Sequence, residues 1–165
     1  MLSFDKFTAK AKEVLAGCQQ LLGRFGHTQL DAEHVLLAML EQDEGVGAKV
    51  LEKLGVDVSS LRRHVERELG RRPSVQVTAG GAGQIYITPQ AQKVFELAED
   101  EAERLQDSYI GVDHLLLGLL MEGQSAAARI LQQAGVTREG VYGALKDIRG
   151  AQRVTDEHAE SRYQI

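Results

Sequence analysis

Tryptophan is absent from this 165-residue chain, proline occurs twice and cysteine once. So little proline, set against abundant Ala, Leu, Glu, Gln and Arg, leaves long stretches free to be helical. Cys18 has no partner for an internal disulfide, which fits a reducing compartment and the role of a small buried apolar side chain. No apolar run approaches the roughly 20 residues that span a bilayer, and the N-terminus lacks the basic-then-apolar pattern of a secretory signal, so the expected location is the cytoplasm. A surplus of positive charge is missing as well. The formal net charge is −5, with Lys and Arg interleaved among carboxylates, which argues against a nucleic-acid partner. A hydrophobic fraction of 43% suffices for one good core, or two small ones fused side by side, without disulfides.

What the chain has instead is repetition. The segment DAEHVLLAML, Asp31 to Leu40, returns as GVDHLLLGLL, Gly111 to Leu120, so His34 and His114 stand 114 − 34 = 80 positions apart. The same offset aligns FTAKAKEVL (Phe7 to Leu15) with ITPQAQKVF (Ile87 to Phe95), and AKVLEKLGV (Ala48 to Val56) with ARILQQAGV (Ala128 to Val136). No gap is needed from Phe7 to Val56, a length over which chance does not keep register.

Each copy reads as four helices, so the expected fold is all-α: eight helices in two pseudo-twofold repeats, about 4–70 and 87–150, forming one domain over 1–150. Thr8 and Thr88 cap the first helices, Thr88 with Pro89 at the first helical position, where its missing N–H costs no bond. Asp31 or Gly111 starts the second helix, and Leu36, Leu37 and Leu40 fall on one face. Ser125 caps the third helix of the second copy, and Gly55 and Gly135 end the third helices in the left-handed conformation, followed by Val56 or Val136. The fourth helices, 59–69 and 137–148, carry the apolar stripes Leu61, Val65, Leu69 and Val141, Leu145, Ile148. A Gly-rich linker is expected over 71–86. The polar tail, 151–165, lacks apolar periodicity and is expected outside the core, leading onward to a longer chain.

Several chemistries find no support. A phosphate loop of the form GxxxxGK[ST] is absent, and GGAG near the linker's end has neither the lysine nor the spacing. A helical-bundle metal enzyme is the remote alternative, because zinc and di-iron sites need clustered ligands. Asp31 precedes His34 by three, yet Gly111 stands in that place before His114, so no metal site is expected. The two histidines are read as first-turn residues bonding locally. Glu33 and Asp113, paired by the repeat, lie where a helix dipole favours negative charge.

Taken together, FTAKA and ITPQA opening the copies, EHVLLAML and DHLLLGLL within them, and LEKLGV and LQQAGV closing the third helices resemble the N-terminal domain of the Clp ATPases, hexameric unfoldases and disaggregases. The resemblance runs from Phe4 to about Tyr163. The tail DIRGAQRVTDEHAESRYQ is similar to the segment leading into the first ATPase ring of the disaggregase ClpB, while the repeats look equally like the unfoldase ClpC.

The resemblance implies a substrate- and adaptor-binding domain with no catalysis of its own, receiving unfolded or aggregated clients and passing them to an ATPase pore. No cofactor is expected in it, since ATP and magnesium would belong to the rings, and neither nucleic acid nor membrane is expected as partner. The isolated domain is expected to be a monomer and its parent a hexamer. The ClpC-type alternative recognises adaptors or arginine-phosphorylated clients, and the matching Thr and acid positions are Thr8, Glu33, Thr88 and Asp113. The expected arrangement is one threonine and one acid of the same copy forming a pocket for a cationic group. Asp113 is one methylene shorter than the glutamate usual there. In ClpB-type domains Thr8, Asp107 and Asp113 match positions associated with substrate handling, and Phe95 and Leu97 match an apolar client groove.

Overall fold

The computed structural model describes residues 4–74 and 85–163. Among them are eight α-helices, and the 80-residue register holds throughout. In the first copy these are α1 (Ala9–Phe25), α2 (Ala32–Leu40), α3 (Val46–Lys53) and α4 (Val58–Gly70); in the second, α5 (Pro89–Arg104), α6 (Val112–Glu122), α7 (Ala126–Gln133) and α8 (Arg138–Arg149). The caps are those the sequence announces. Thr8 and Thr88 accept from the amides of Ala11 and Ala91, both at 3.1 Å, and Ser125 from that of Ala128 at 3.1 Å. Gly55 and Gly135 take φ of 81° and 84°, and the amides of Val56 and Val136 reach back to the carbonyls of Leu51 and Leu131 at 3.0 Å.

Helices α2 and α6 are the axis of the domain. Every residue of α2, and Val112 through Leu120 of α6, is buried, as befits helices apolar all round beyond the Glu33–His34 and Asp113–His114 pairs in their first turns. Each fully buried leucine there contributes about 2 kcal/mol relative to an exposed one. Around this axis α1 packs on α2 and α5 on α6, the latter so closely that Gly118 of α6 faces the backbone of Val94 and Ala98. The third helices pack across the copies: α3 touches α6 and α8, and α7 touches α2 and α4. Phe4, Phe7 and Phe95 form an aromatic cluster, with ring centroids 5.0 to 6.2 Å apart. Cys18 is fully buried, and burial pushes its thiol pKa up to about 12.

Two short strand pairings also cross between copies. Strand β1 (Gln29–Leu30) runs parallel to β2 (Tyr86–Ile87), pairing Leu30 with Ile87, and a parallel bridge joins Phe7 to Ile110. These are the same contact seen from either copy, since Phe7 matches Ile87 and Leu30 matches Ile110. Tyr86, expected in the linker, is therefore part of a strand, while linker residues 75–84 lie outside the described residues.

The tail departs from expectation. Val154 and Ala159 are fully buried, and Tyr163 and Glu160 nearly so, with a short 3-10 turn over Ala159–Arg162. Three apolar side chains without periodicity leave no pattern in sequence, yet together they anchor the segment on the core.

Candidate functional site

The crossing strands bring the N-cap threonine of each copy to the second helix of the other, and a polar centre forms at each junction. In the first centre the Thr88 hydroxyl donates to Asp31 Oδ1 at 2.8 Å, and the same oxygen accepts from the Ala32 amide at 3.0 Å. Arg72 Nη1 donates to Asp31 Oδ2 at 3.1 Å, and Arg72 Nη2 pairs with Glu33. The other Glu33 oxygen accepts from the Ala127 amide, at the start of α7, at 2.9 Å. A backbone amide can only donate, so the Asp31 N–H bound to His34 Nδ1 at 2.9 Å places the ring proton on Nε2, which faces His27 Nδ1 at 2.9 Å. A cavity of about 250 Å³ opens beside His27, Asp31, His34 and Arg72.

In the second centre Asp107, Asp113 and His114 stand at the positions equivalent to His27, Glu33 and His34, while its arginine, Arg149, is not the repeat equivalent of Arg72. His114 Nδ1 accepts from the Gly111 amide at 2.8 Å, and Nε2 faces Asp107 Oδ2 at 2.7 Å, so Asp107 stands where the first centre has His27. Arg149 spans both acids, reaching Asp107 Oδ1 at 2.6 Å and Asp113 Oδ2 at 3.2 Å. Gly111 has no carboxylate to match Asp31, and the tail supplies one: Glu160 Oε2 accepts from the Val112 amide at 2.7 Å, with the Thr8 side chain beside the carboxyl. Asp107 Oδ1 also accepts from the Val154 amide at 2.9 Å, fastening the tail at a second point.

The two centres differ electrically. Burial, the neighbouring His27 and the charge of Arg72 lower the His34 pKa to about 4, so that ring is neutral. Burial also disfavours charge on His114, but the Asp113 and Asp107 carboxylates outweigh it and raise its pKa. Desolvation, reinforced by the Asp113 charge, pushes Glu160 up to about 7. Asp107 is desolvated too, yet its bonds from His114 and Arg149 hold it below the usual carboxylate range.

Against this geometry the expected pairing of threonine and acid within one copy is replaced by pairing across copies: Thr88 meets the Asp31–Glu33 centre and Thr8 the Asp107–Asp113 centre. Thr8, Glu33 and Asp113 are buried, and the two carboxylates already hold guanidinium groups of the chain itself, those of Arg72 and Arg149. Asp113, one methylene shorter than Glu33, bonds to Arg149 and to its neighbour's amide. Phe95 is fully buried in the aromatic cluster, so it packs the core instead of lining a groove, and Leu97 is half-buried. Among the described residues the exposed large apolar side chains are Ile85, Tyr86 and Ile87, on and beside β2. Sequence reading missed Arg72, Arg149 and Glu160. Buried acids demand a cation, but nothing local says which of 19 Lys and Arg residues comes to them. Among the described residues no group of three or more His, Cys, Asp or Glu side chains is arranged to hold a metal ion, and no helix is long and apolar enough to cross a membrane.

Residues 6–134 match the family of the Clp repeat (R) N-terminal domain. The chain is 37% identical to the chaperone protein ClpB of Nitratidesulfovibrio vulgaris over 164 residues, 99% of this chain and 19% of that protein. It is 40% identical to the negative regulator of genetic competence ClpC/MecB of Bacillus subtilis over 136 residues, 82% of this chain and 16% of that protein. The chain thus spans less than a fifth of the length of these relatives. The Hsp104 N-terminal domain from Candida albicans shares the fold, with a TM-score of 0.78 at 24% identity, over 94% of this chain and 99% of that one.

Proposed function

The chain belongs to the Clp repeat N-terminal domain family, and on that footing we propose that it is the client-receiving domain of a ClpB-type ATP-dependent chaperone. It engages unfolded or aggregated protein, directly or through adaptors, and passes it to an ATPase pore; ATP and magnesium act in the rings and no chemistry occurs here. The parent is a cytoplasmic hexamer on this reading. The observation that carries it is the exposed Ile85–Tyr86–Ile87 ridge beside the first polar centre. Isolated exposed apolar side chains are ordinary, whereas three in succession on and beside an edge strand offer a sequence-tolerant hold on extended chain. Affinity in about the micromolar range or weaker suits a domain that must let go. The test is a titration with a reduced, unfolded protein against wild type and Tyr86→Ser with Ile87→Ser. Several-fold weaker binding by the variant is expected, and equal binding sinks the proposal for this ridge.

A second reading rests on Glu33, which already seats a guanidinium beside the amide at the start of α7. That arrangement favours ClpC-type capture of arginine-phosphorylated clients, with the carboxylate taking the guanidinium and helix-end amides the phosphate. Titration with phosphorylated and unphosphorylated forms of one client, repeated with Glu33→Ala and Asp113→Ala, separates the two. A preference for the phosphorylated form that the double variant loses supports this second reading; equal binding that survives it leaves the acids as structural groups.

A further inference from the structure

A larger cleft, of about 520 Å³, lies away from the first polar centre and the β2 ridge and backs onto the second centre only through Arg149, between the end of α5, the outer face of α8 and residues 150–153 of the tail. Its volume falls inside the range of about 300 to 1,000 Å³ usual for ligand sites. No carboxylate lines it, although the protein is acidic as a whole. Its floor is apolar, from Leu105 and Leu145, and its rim is cationic.

The rim cations differ in how they are satisfied. Arg149, at the back, is held by Asp107 and Asp113. Arg104 pairs with the buried Glu101 and lies against the Tyr142 ring, 5.1 Å from its centroid. Arg138 approaches the same ring at 5.9 Å. Arg153 donates to the Leu105 carbonyl at 2.9 Å and meets no acid, and Lys146 is exposed and likewise meets none among the described residues. Two cations, Lys146 and Arg153, thus flank one apolar floor without a salt-bridge partner among the described residues, an arrangement that costs self-repulsion unless something negative settles there.

We propose that this cleft binds a short acidic peptide segment, two or more carboxylates reaching Lys146 and Arg153 while one apolar side chain rests on Leu105, Leu145 and the Tyr142 ring. Charge complementarity selects the sign of the ligand and the apolar floor selects peptide over polyphosphate. An extended nucleic acid would also run onto Glu96, Glu99, Asp100 and Glu103, all exposed along α5. The tail forms one wall, so the cleft exists only while residues 150–153 stay folded back.

The test uses the whole domain and a fluorescent peptide with four glutamates around one leucine, followed by anisotropy at low and at physiological salt. Saturable binding that weakens with salt is expected, falling about tenfold in Lys146→Glu with Arg153→Glu. Lys146→Glu alone, at an exposed side chain with no salt-bridge partner among the described residues, gives an intermediate loss with an unchanged melting curve. Reversing Lys12 and Arg63, elsewhere on the surface, leaves binding intact. Failure of the peptide to bind, equal loss from the remote reversals, or equally tight binding of a single-stranded oligonucleotide overturns the proposal. Uptake of an unfolded client low in charge should not respond to these changes, so this site and the β2 ridge stand or fall separately.

Discussion

Glu160 Oε2 stands 2.7 Å from the Val112 amide, and Asp31 Oδ1 stands 3.0 Å from the equivalent amide of Ala32. Thr88, crossing from the other copy, also donates to Asp31 Oδ1, and Thr8 lies correspondingly beside the Glu160 carboxyl. A cap that Gly111 lacks in sequence is therefore restored by a residue 49 positions further on, read as 160 − 111. Space is tight there: a Cβ on Gly111 would lie 3.0 Å from Glu160 Oε2 and 2.7 Å from Asp113 Oδ1.

Docking of the tail is linked to pH through Glu160. Its pKa is raised to about 7 from the ordinary 4.5, so between those values the folded protein holds a proton that the unfolded chain has released. Its contribution is then greatest below pH 4.5 and declines as pH rises through 7, by on the order of 3 kcal/mol. Glu160→Gln keeps an acceptor and removes the titration. Urea unfolding at pH 5 and pH 8 should show wild type losing more stability than the variant over this interval; identical losses would show that the carboxylate does not titrate there.

The two repeat-related histidines are expected to titrate far apart. His34, neutral because it is buried beside His27 and Arg72, should change resonance only near pH 4, while His114, beside Asp113 and Asp107, should titrate above 6.5. For His34 the sign is that stability is full above 6.5 and declines as pH falls toward 4; for His114 it is full below 6.5 and declines as pH rises through its folded pKa. Side-chain NMR titration reads both, and a common midpoint would contradict the assignment.

Removing Arg149 should cost far more than removing Arg72. Arg149→Ala strands two carboxylates of 0% side-chain exposure, for which a loss of about 3 to 5 kcal/mol is expected. Arg72 is 27% exposed, and Glu33 keeps the Ala127 amide without it, so Arg72→Ala should cost about 1 to 2 kcal/mol. Denaturant midpoints decide, and a reversed order would mean that the two centres are not organised by their arginines.

Two glycines on helices make a matched pair. A Cβ on Gly118 would meet the Val94 carbonyl at 2.5 Å, backbone that cannot step aside, so Gly118→Ala should lose about 1 to 3 kcal/mol. At Gly143, inside α8, a Cβ meets nothing within 4 Å, and Gly143→Ala should gain about 0.5 to 1 kcal/mol. Thermal unfolding reads the opposite signs directly.

The helices were legible because their signals are local. Thr8, Thr88 and Ser125 bond to amides three residues away, Gly55 and Gly135 end helices by their own φ, and the 80-residue offset then gives the second copy from the first. The polar centres were only half legible. Alignment pairs Thr8 with Thr88 and Glu33 with Asp113, but it is silent on which threonine meets which acid, and the pairing of Leu30 with Ile87 sends each one to the other copy. Phe95 lies on an amphipathic helix whose sequence leaves the buried side unmarked, and only its contacts with Phe4 and Phe7 place it inside. The tail was illegible for a similar reason. Val154, Ala159 and Tyr163 have no common spacing, and their burial is decided by a surface made elsewhere.

Crossed strands and crossed third helices mean that the two copies are not beads on a string. A single copy on its own would present Leu30 without its strand partner, a threonine without its carboxylate, and the patches of α2 and α4 that α7 covers. Those vacancies are mutually complementary, because what one copy lacks is what an identical copy offers. Two separate chains of one repeat could satisfy them by symmetric exchange, so the duplicated chain has the topology of a swapped dimer whose halves share one backbone.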